Sequence, residues 1–375
     1  MNLAKSALLA LAAVSILQFP LLPAQAEDIP GEKHSTIVLN RRDSKNEHYE
    51  AAKLLFITSQ DSTDKLLFSD SPETVDSDGI LYEDTVKGDA RLLYYHLNNM
   101  KDEKKIAVVI ENMSDKPNRL TITRKATGGP SEDYLYVGKT TLTRYLGDEE
   151  HREMSLPPNA RTILYKPDEE RIVPYGGLVY GIFDFNAQRD LKVSVLIAPK
   201  DVNLLSYAAH APILTKDVHR LRGTYDGKDR YMTNRSPFNP QRTGPVYFYI
   251  GDNRTDLYKY GFDATDNSAT QNFGNYGVMY TFHPRLNGKG SVSYYLKPIG
   301  GVYAGAMTVR EGRNGERRVI PTPEGLPFFG HEKELNYYSY LGTYSNQDDI
   351  YFEYTPPGAS NLPVQILMIP EEKHR

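Results

Sequence analysis

The chain of 375 residues contains neither cysteine nor tryptophan. Without cysteine there are no disulfides, no thiolate nucleophile, no cysteine-ligated zinc or iron–sulfur centre, and no lipobox for lipid attachment. Stability must then come from sizeable hydrophobic cores. The formal net charge is only −4, with 44 basic against 48 acidic residues, which argues against a dedicated nucleic-acid surface. No segment beyond the extreme N-terminus approaches the ~20 apolar residues of a membrane-spanning helix.

Several catalytic signatures are missing as well. There is no Gly-x-Ser-x-Gly and no His-x-His, and the nine histidines are scattered. "VGKTTLTR" around Lys139 looks like a phosphate loop, but Asp133 stands where the first glycine is needed. "HEKEL" at His331 has Leu335 in place of the second histidine of a zinc protease helix. His96, within "YYHLN", reads as a satisfied strand residue rather than a ligand.

What is present begins with "MNLAKSALLALAAVSILQFPLLPAQA": a lysine, an apolar run and a small-residue cleavage site at Ala24-Gln25-Ala26. This predicts a cleaved signal peptide over 1–26 and a periplasmic, cell-surface or extracellular protein without a membrane span.

The remainder reads as a duplication. "LKVSVLIAP" from Leu191 is matched by "LPVQILMIP" from Leu362, Gly128-Gly129 by Gly300-Gly301, and "YVGKTTLTR" from Tyr136 by "YAGAMTVR" from Tyr303, in the same order in both halves. The matched segments are read as strands, because Leu191, Val193, Val195 and Ile197 alternate, as do Leu362, Val364, Ile366 and Met368. A proline closes each because it cannot donate to the ladder. The double glycines are expected to turn tightly between strands.

The predicted class is therefore all-β: two tandem, duplicated antiparallel β-sandwich domains, Ig-like or jelly-roll-like. The boundaries are 27–60 for an N-terminal arm, 61–200 for the first sandwich, 201–244 for an interdomain connection and 245–375 for the second sandwich. In the arm, Ser44 and Glu47 form a capping box before Tyr49, Ala52 and Phe56, which predicts a short helix. The connection is expected to be an ordered crossover followed by an irregular loop.

Two residue classes carry candidate chemistry. The chain has 28 tyrosines, and in doublets such as Tyr294-Tyr295 and Tyr337-Tyr338 one ring must face each side of a strand. Exposed rings with polar tips stack on sugars or protein partners, which nominates Tyr294, Tyr303 and Tyr338 as ligand-binding. Acidic clusters at "DNRTD" and "DATDN" offer hard oxygen ligands, which makes Asp252, Asp256, Asp263 and Asp266 calcium candidates, although no complete EF-hand spacing is present. The same residue types are also what β-turns select.

"SDSPETVDSDGILYEDTVKGDARLLYYHLNN", "ENMSDKPNRLTITRKATGGPSEDYLYVGK" and "PIGGVYAGAM" resemble segments of secreted bacterial tandem β-sandwich proteins often labelled as copper amine oxidase N-terminal-domain proteins. The resemblance runs from about Ser69 to Pro370 and implies export and a repeated sandwich. It implies no oxidase: those enzymes build their quinone from Asn-Tyr-Asp/Glu and bind copper through three histidines, whereas "NYG" at Asn275 and "NYY" at Asn336 lack the acid.

Together these features predict a non-catalytic, exported envelope protein that binds a cell-wall glycan or a protein partner and needs no cofactor. An extracellular polysaccharide hydrolase with two carboxylates, and a structural surface-layer or adhesin-like component, are the alternatives.

Overall fold

Two strands of unusual length organise the N-terminal half. Gly79–Asn98 and Leu178–Pro199 pair antiparallel from Leu97 opposite Leu178 to Gly79 opposite Ile197, with a register shift between Ala187 and Leu191. On either side of that irregularity the second strand changes its other neighbour. Its first part, Leu178 to Ala187, pairs with Asn118–Ser131, and its second part, Leu191 to Pro199, pairs with Lys104–Asn112. A local bulge lets one strand serve two layers in this way. Between the layers lie Val86, Leu92, Val108, Ile110, Ile122 and Phe183, all buried in one cluster.

In this computed structural model the described residues are 36–39, 51–165, 171–331 and 336–371. The leader over 1–26 and the Ser44/Glu47 capping pattern lie outside them. Among the described residues the fold is all-β in the main, with one sheet of twelve strands, two of six and one helix longer than two turns. The two six-stranded sheets face one another in the C-terminal half. Phe248 on one meets Phe282 on the other at 4.5 Å between ring centroids, and Tyr294 meets Phe352 at 4.8 Å. Pro199 and Pro370 end their strands as expected.

Several local expectations are corrected. Residues 51–61 are extended where described, with strands at Lys53–Leu54 and Ile57–Asp61, so Ala52 and Phe56 do not form a helical stripe. The stretch read as a connection contains two strands rather than an irregular loop. Arg222–Asp226 pairs with Lys65–Ser69 in the large sheet, and Asp229–Asn234 pairs with Ile57–Asp61 in a six-stranded one. Gly129 does not turn between strands; it lies inside Asn118–Ser131 at φ +83°, where a Cβ would sit 2.1 Å from the Leu178 carbonyl oxygen.

The segment around Tyr136 is helix α1, Tyr134–Gly147, whereas its partner in the sequence match forms the strand Gly305–Glu311. The Asp133 side chain caps α1 by accepting from the Tyr136 amide at 3.0 Å. Val137, Leu142, Tyr145 and Leu146 point inward and join the core shared with the C-terminal sheets. At Gly138 the helix touches the loop after Tyr354 so closely that a Cβ would lie 2.2 Å from the Gly358 carbonyl oxygen. Gly138→Ala is therefore expected to destabilise by about 1–3 kcal/mol in urea denaturation, although alanine is the better helix former by about 1 kcal/mol. An unchanged or higher midpoint would show that the helix and loop are not in close contact.

Candidate functional site

The three nominated tyrosines are not available to a ligand. Tyr294 is 1% exposed, Tyr303 0% and Tyr338 3%. Tyr294 fills the space between the C-terminal sheets. Tyr303 packs edge-on against Phe329 at 5.7 Å. Tyr338 belongs to a second apolar cluster, with Tyr295 and Leu367, on the other face of its sheet. The strand period correctly sends Tyr294 and Tyr295 to opposite faces, but it does not reveal that both faces are covered.

The acidic residues nominated for calcium have other partners. Asp263 is fully buried and accepts from Arg222 Nε at 2.8 Å; Asp256 is 3% exposed, pairs with Arg230 and accepts from the Tyr280 hydroxyl at 2.7 Å. Asp266 pairs with Lys216 at 2.7 Å. Asp252 is a turn cap that accepts from the amides of Arg254, Thr255 and Asp256 at 2.9–3.0 Å. Burial alone would raise its pKa, and these amides hold it below the usual carboxylate range. Among the described residues no group of three or more acidic or histidine side chains is gathered as a metal site.

An open cleft of about 490 Å³ contains the carboxylates that a hydrolase would need. At its base, Arg91 is 2% exposed and forks onto Asp184, with Nε to Oδ1 at 2.6 Å and Nη2 to Oδ2 at 2.9 Å. The two residues face one another across the long-strand ladder, and Arg124 faces Asp184 from the strand on its other side. The Tyr145 hydroxyl donates to Asp184 Oδ2 at 2.9 Å. Arg91 also donates to the carbonyls of Lys228 at 2.7 Å and Gly277 at 3.0 Å and pairs with Asp229 at 3.0 Å.

Burial would lower the Arg91 pKa, but Asp184, Tyr145 and Asp229 more than reverse this and hold the guanidinium charged. Burial would raise that of Asp229, and Arg91 and Lys228 keep it below the usual range. Glu353 accepts from Arg317 at 2.9 Å and lies 3.3 Å from Arg310. Charges paired in this way order the base of the cleft, whose lining also carries Glu149, Glu150 and His151. Lys139, from the phosphate-loop lookalike, donates instead to the carbonyls of Pro323 and Leu326. Of "HEKEL", only His331 lies within the described residues.

Exposed rings do occur, at positions the sequence reading missed. Tyr260 is 75% and Phe262 49% exposed, two residues apart on the outer face of the hairpin formed by Tyr260–Asp263 and Ser268–Gln271. Their neighbours Gly261 and Asp263 face inward, toward Tyr225 and Arg222. Leu257 and Phe273 flank the hairpin at 62% and 50% exposure, and Phe273 packs edge-on against Tyr258 at 6.0 Å. The available signal was alternation in "YGFD", where the inward position carries an aspartate that needs a buried cation.

No family model matches the chain, and no curated protein matches it. Among solved structures, the PBSX exported protein XepA is 10% identical over 78% of this chain and 86% of its own, with a TM-score of 0.16. A point mutant of Bacillus subtilis oxalate decarboxylase OxdC is 10% identical over 84% and 78%, with a TM-score of 0.13. An 11S globulin from Wrightia tinctoria is 7% identical over 85% and 84%, with a TM-score of 0.11. At these scores none of the three carries a fold or an activity over to this chain.

Proposed function

We propose that the chain is an exported, non-catalytic protein of the cell envelope that binds cell-wall glycan through the outer face of the Tyr260–Gln271 hairpin. The observation that carries this reading is the row of exposed rings, Tyr260 and Phe262, on a rigidly paired strand. Contiguous apolar exposure of this kind marks an interaction surface, and ring faces suit the apolar faces of sugars. Export rests on the N-terminal leader. The repeated strand segments of the sequence support two related sandwiches, while helix α1 departs from the repeat and one buried cluster spans both halves. A polysaccharide hydrolase would need one protonated and one ionised carboxyl flanking the scissile bond; in the large cleft Asp184 and Asp229 are both paired with Arg91, which favours binding over turnover there.

The test is co-sedimentation of the full chain with isolated peptidoglycan and with whole envelopes, with and without calcium. Saturable retention on peptidoglycan is expected, weakened about 30-fold in the double variant Tyr260→Ala/Phe262→Ala, as two rings worth about 1 kcal/mol each would imply. Retention on envelopes but not on peptidoglycan would replace the glycan by a protein partner. Unchanged retention in the double variant would overturn the assignment of the face.

A further inference from the structure

A smaller cavity on another part of the surface has a different chemistry. Asp70 follows the strand Lys65–Ser69, is anchored by its amide to the Leu221 carbonyl at 3.0 Å, and is 9% exposed. Its Oδ1 is buried without a hydrogen-bond partner. The carboxyl borders a cavity of about 190 Å³ walled by Phe68, Tyr95 and Tyr276, with Glu73 also in its lining. The walls are fixed: Phe68 and Tyr276 stack at 6.2 Å, Tyr95 meets Tyr180 edge-on at 5.9 Å, and the Tyr276 hydroxyl donates to the Ser360 carbonyl at 2.7 Å.

Apart from tyrosines, the ionisable side chains in the lining, Asp70 and Glu73, are both acidic. Asp70, Glu73 and Asp217 interact unfavourably with one another. Arg222, buried close by, turns its Nε to Asp263 and its Nη1 to the carbonyls of Ser71, Leu81 and Leu214. A buried carboxyl oxygen is not left unpaired without reason. An anion is repelled here, and a metal ion would meet aromatic carbon where it needs oxygen. An ammonium group suits these walls: an N–H for the Asp70 carboxylate, a positive charge for the carboxyl cluster, and ring faces that attract cations. The cavity is smaller than a drug-sized pocket of roughly 300–1,000 Å³, so it suits the end of a chain.

We propose that the Asp70 pocket binds the ammonium end of an alkyl amine. The site goes beyond glycan binding at the hairpin and does not depend on it. Burial, Glu73 and Asp217 hold the Asp70 pKa well above the usual carboxylate range, and burial and Asp217 also raise that of Glu73. Amine binding therefore draws a proton off the pocket, and affinity rises with pH while the amine stays charged. Tyr95, Tyr180 and Tyr276 face Asp70 with pKa values raised by burial, so they remain neutral throughout this range.

The test is calorimetry of the full chain with 1-aminobutane, its neutral counterpart 1-butanol, and Nα-acetyl-lysine methylamide, at pH 6 and pH 8. Saturable binding of the amines but not of butanol is expected, tighter at pH 8 than at pH 6, with a heat that varies with buffer as a proton is released. Tighter binding of the lysine derivative identifies a peptide side chain as the source of the amine, and tighter binding of aminobutane a free one. Asp70→Asn should weaken binding at least tenfold, whereas Tyr260→Ala/Phe262→Ala should leave it unchanged. If Asp70→Asn does not fold, Glu73→Gln at the exposed edge should still weaken amine binding several-fold. Equal binding of butanol, no amine binding at millimolar concentration, or full affinity in both carboxyl variants would overturn the proposal.

Discussion

Arg91→Met is expected to cost about 3–5 kcal/mol of unfolding free energy, because it removes one member of a buried charge pair and leaves the other. Asp184 would lose both arms of its fork, and Asp229 one of its two cations. The carbonyls of Lys228 and Gly277 would lose a donor at the same time. Those carbonyls belong to the segments that lead into Asp229–Asn234 and Met279–Phe282, strands of a C-terminal sheet. Arg91 thus fastens the long-strand ladder to the other core. Arg91→Lys keeps the charge but not the planar five-donor fork, so it should recover only part of the loss.

The double variant Arg91→Met/Asp184→Leu removes both charges, and it should be more stable than Arg91→Met alone because no unpaired carboxylate remains. Urea denaturation followed by far-UV circular dichroism measures all three. A loss below about 1 kcal/mol for Arg91→Met would show that water enters the cleft and solvates Asp184, and the ordered-cleft description would fail.

How far the sequence allowed this to be read varies with the element. Alternation made the strands legible, and the prolines at Pro199 and Pro370 marked their ends. Helix α1 carried its own signal in Asp133 and in the inward spacing of Val137, Thr141, Leu142 and Tyr145. The match of "YVGKTTLTR" to a strand segment, and its β-branched and aromatic content, pointed the other way. Arg222 and Arg230 lie in a stretch whose charge and proline content read as loop. Each is a buried strand residue whose partner, Asp263 or Asp256, comes from a different segment. Such pairs cannot be recognised before the strands are placed, which is also why those aspartates looked free for calcium. The Asp70 pocket is the same case with its cation missing: the aromatic walls come from three parts of the chain and converge only in the fold.

The pH dependence of stability should report on His96. The ring is 1% exposed, with Nδ1 at 2.8 Å from the Pro72 carbonyl and Nε2 at 2.8 Å from Ser69 Oγ. The neutral tautomer with hydrogen on Nδ1 satisfies both, donating to Pro72 and accepting from Ser69. Burial is the main influence and pulls the pKa down to about 4, with Arg222 in the same direction and the Pro72 carbonyl and Asp217 against it. The unfolded value is about 6.5, so the unfolded chain binds the proton first as the pH falls. The stability that His96 contributes is complete above pH 6.5 and is lost between there and about pH 4, some 3 kcal/mol at about 1.4 kcal/mol per unit.

Asp70 acts in the opposite sense, since its raised pKa relieves a penalty as the pH falls, so the whole-chain slope understates His96. Comparison with His96→Gln isolates it. The stability difference between native chain and variant should narrow or reverse by about 3 kcal/mol from pH 7.5 to pH 4, and the His96 Cε1 proton resonance should not titrate above pH 5. A histidine resonance titrating near 6.5 and lost in His96→Gln would mean that water reaches the ring, and that the loop from Asp70 to Glu73, which shapes the amine pocket, opens in solution.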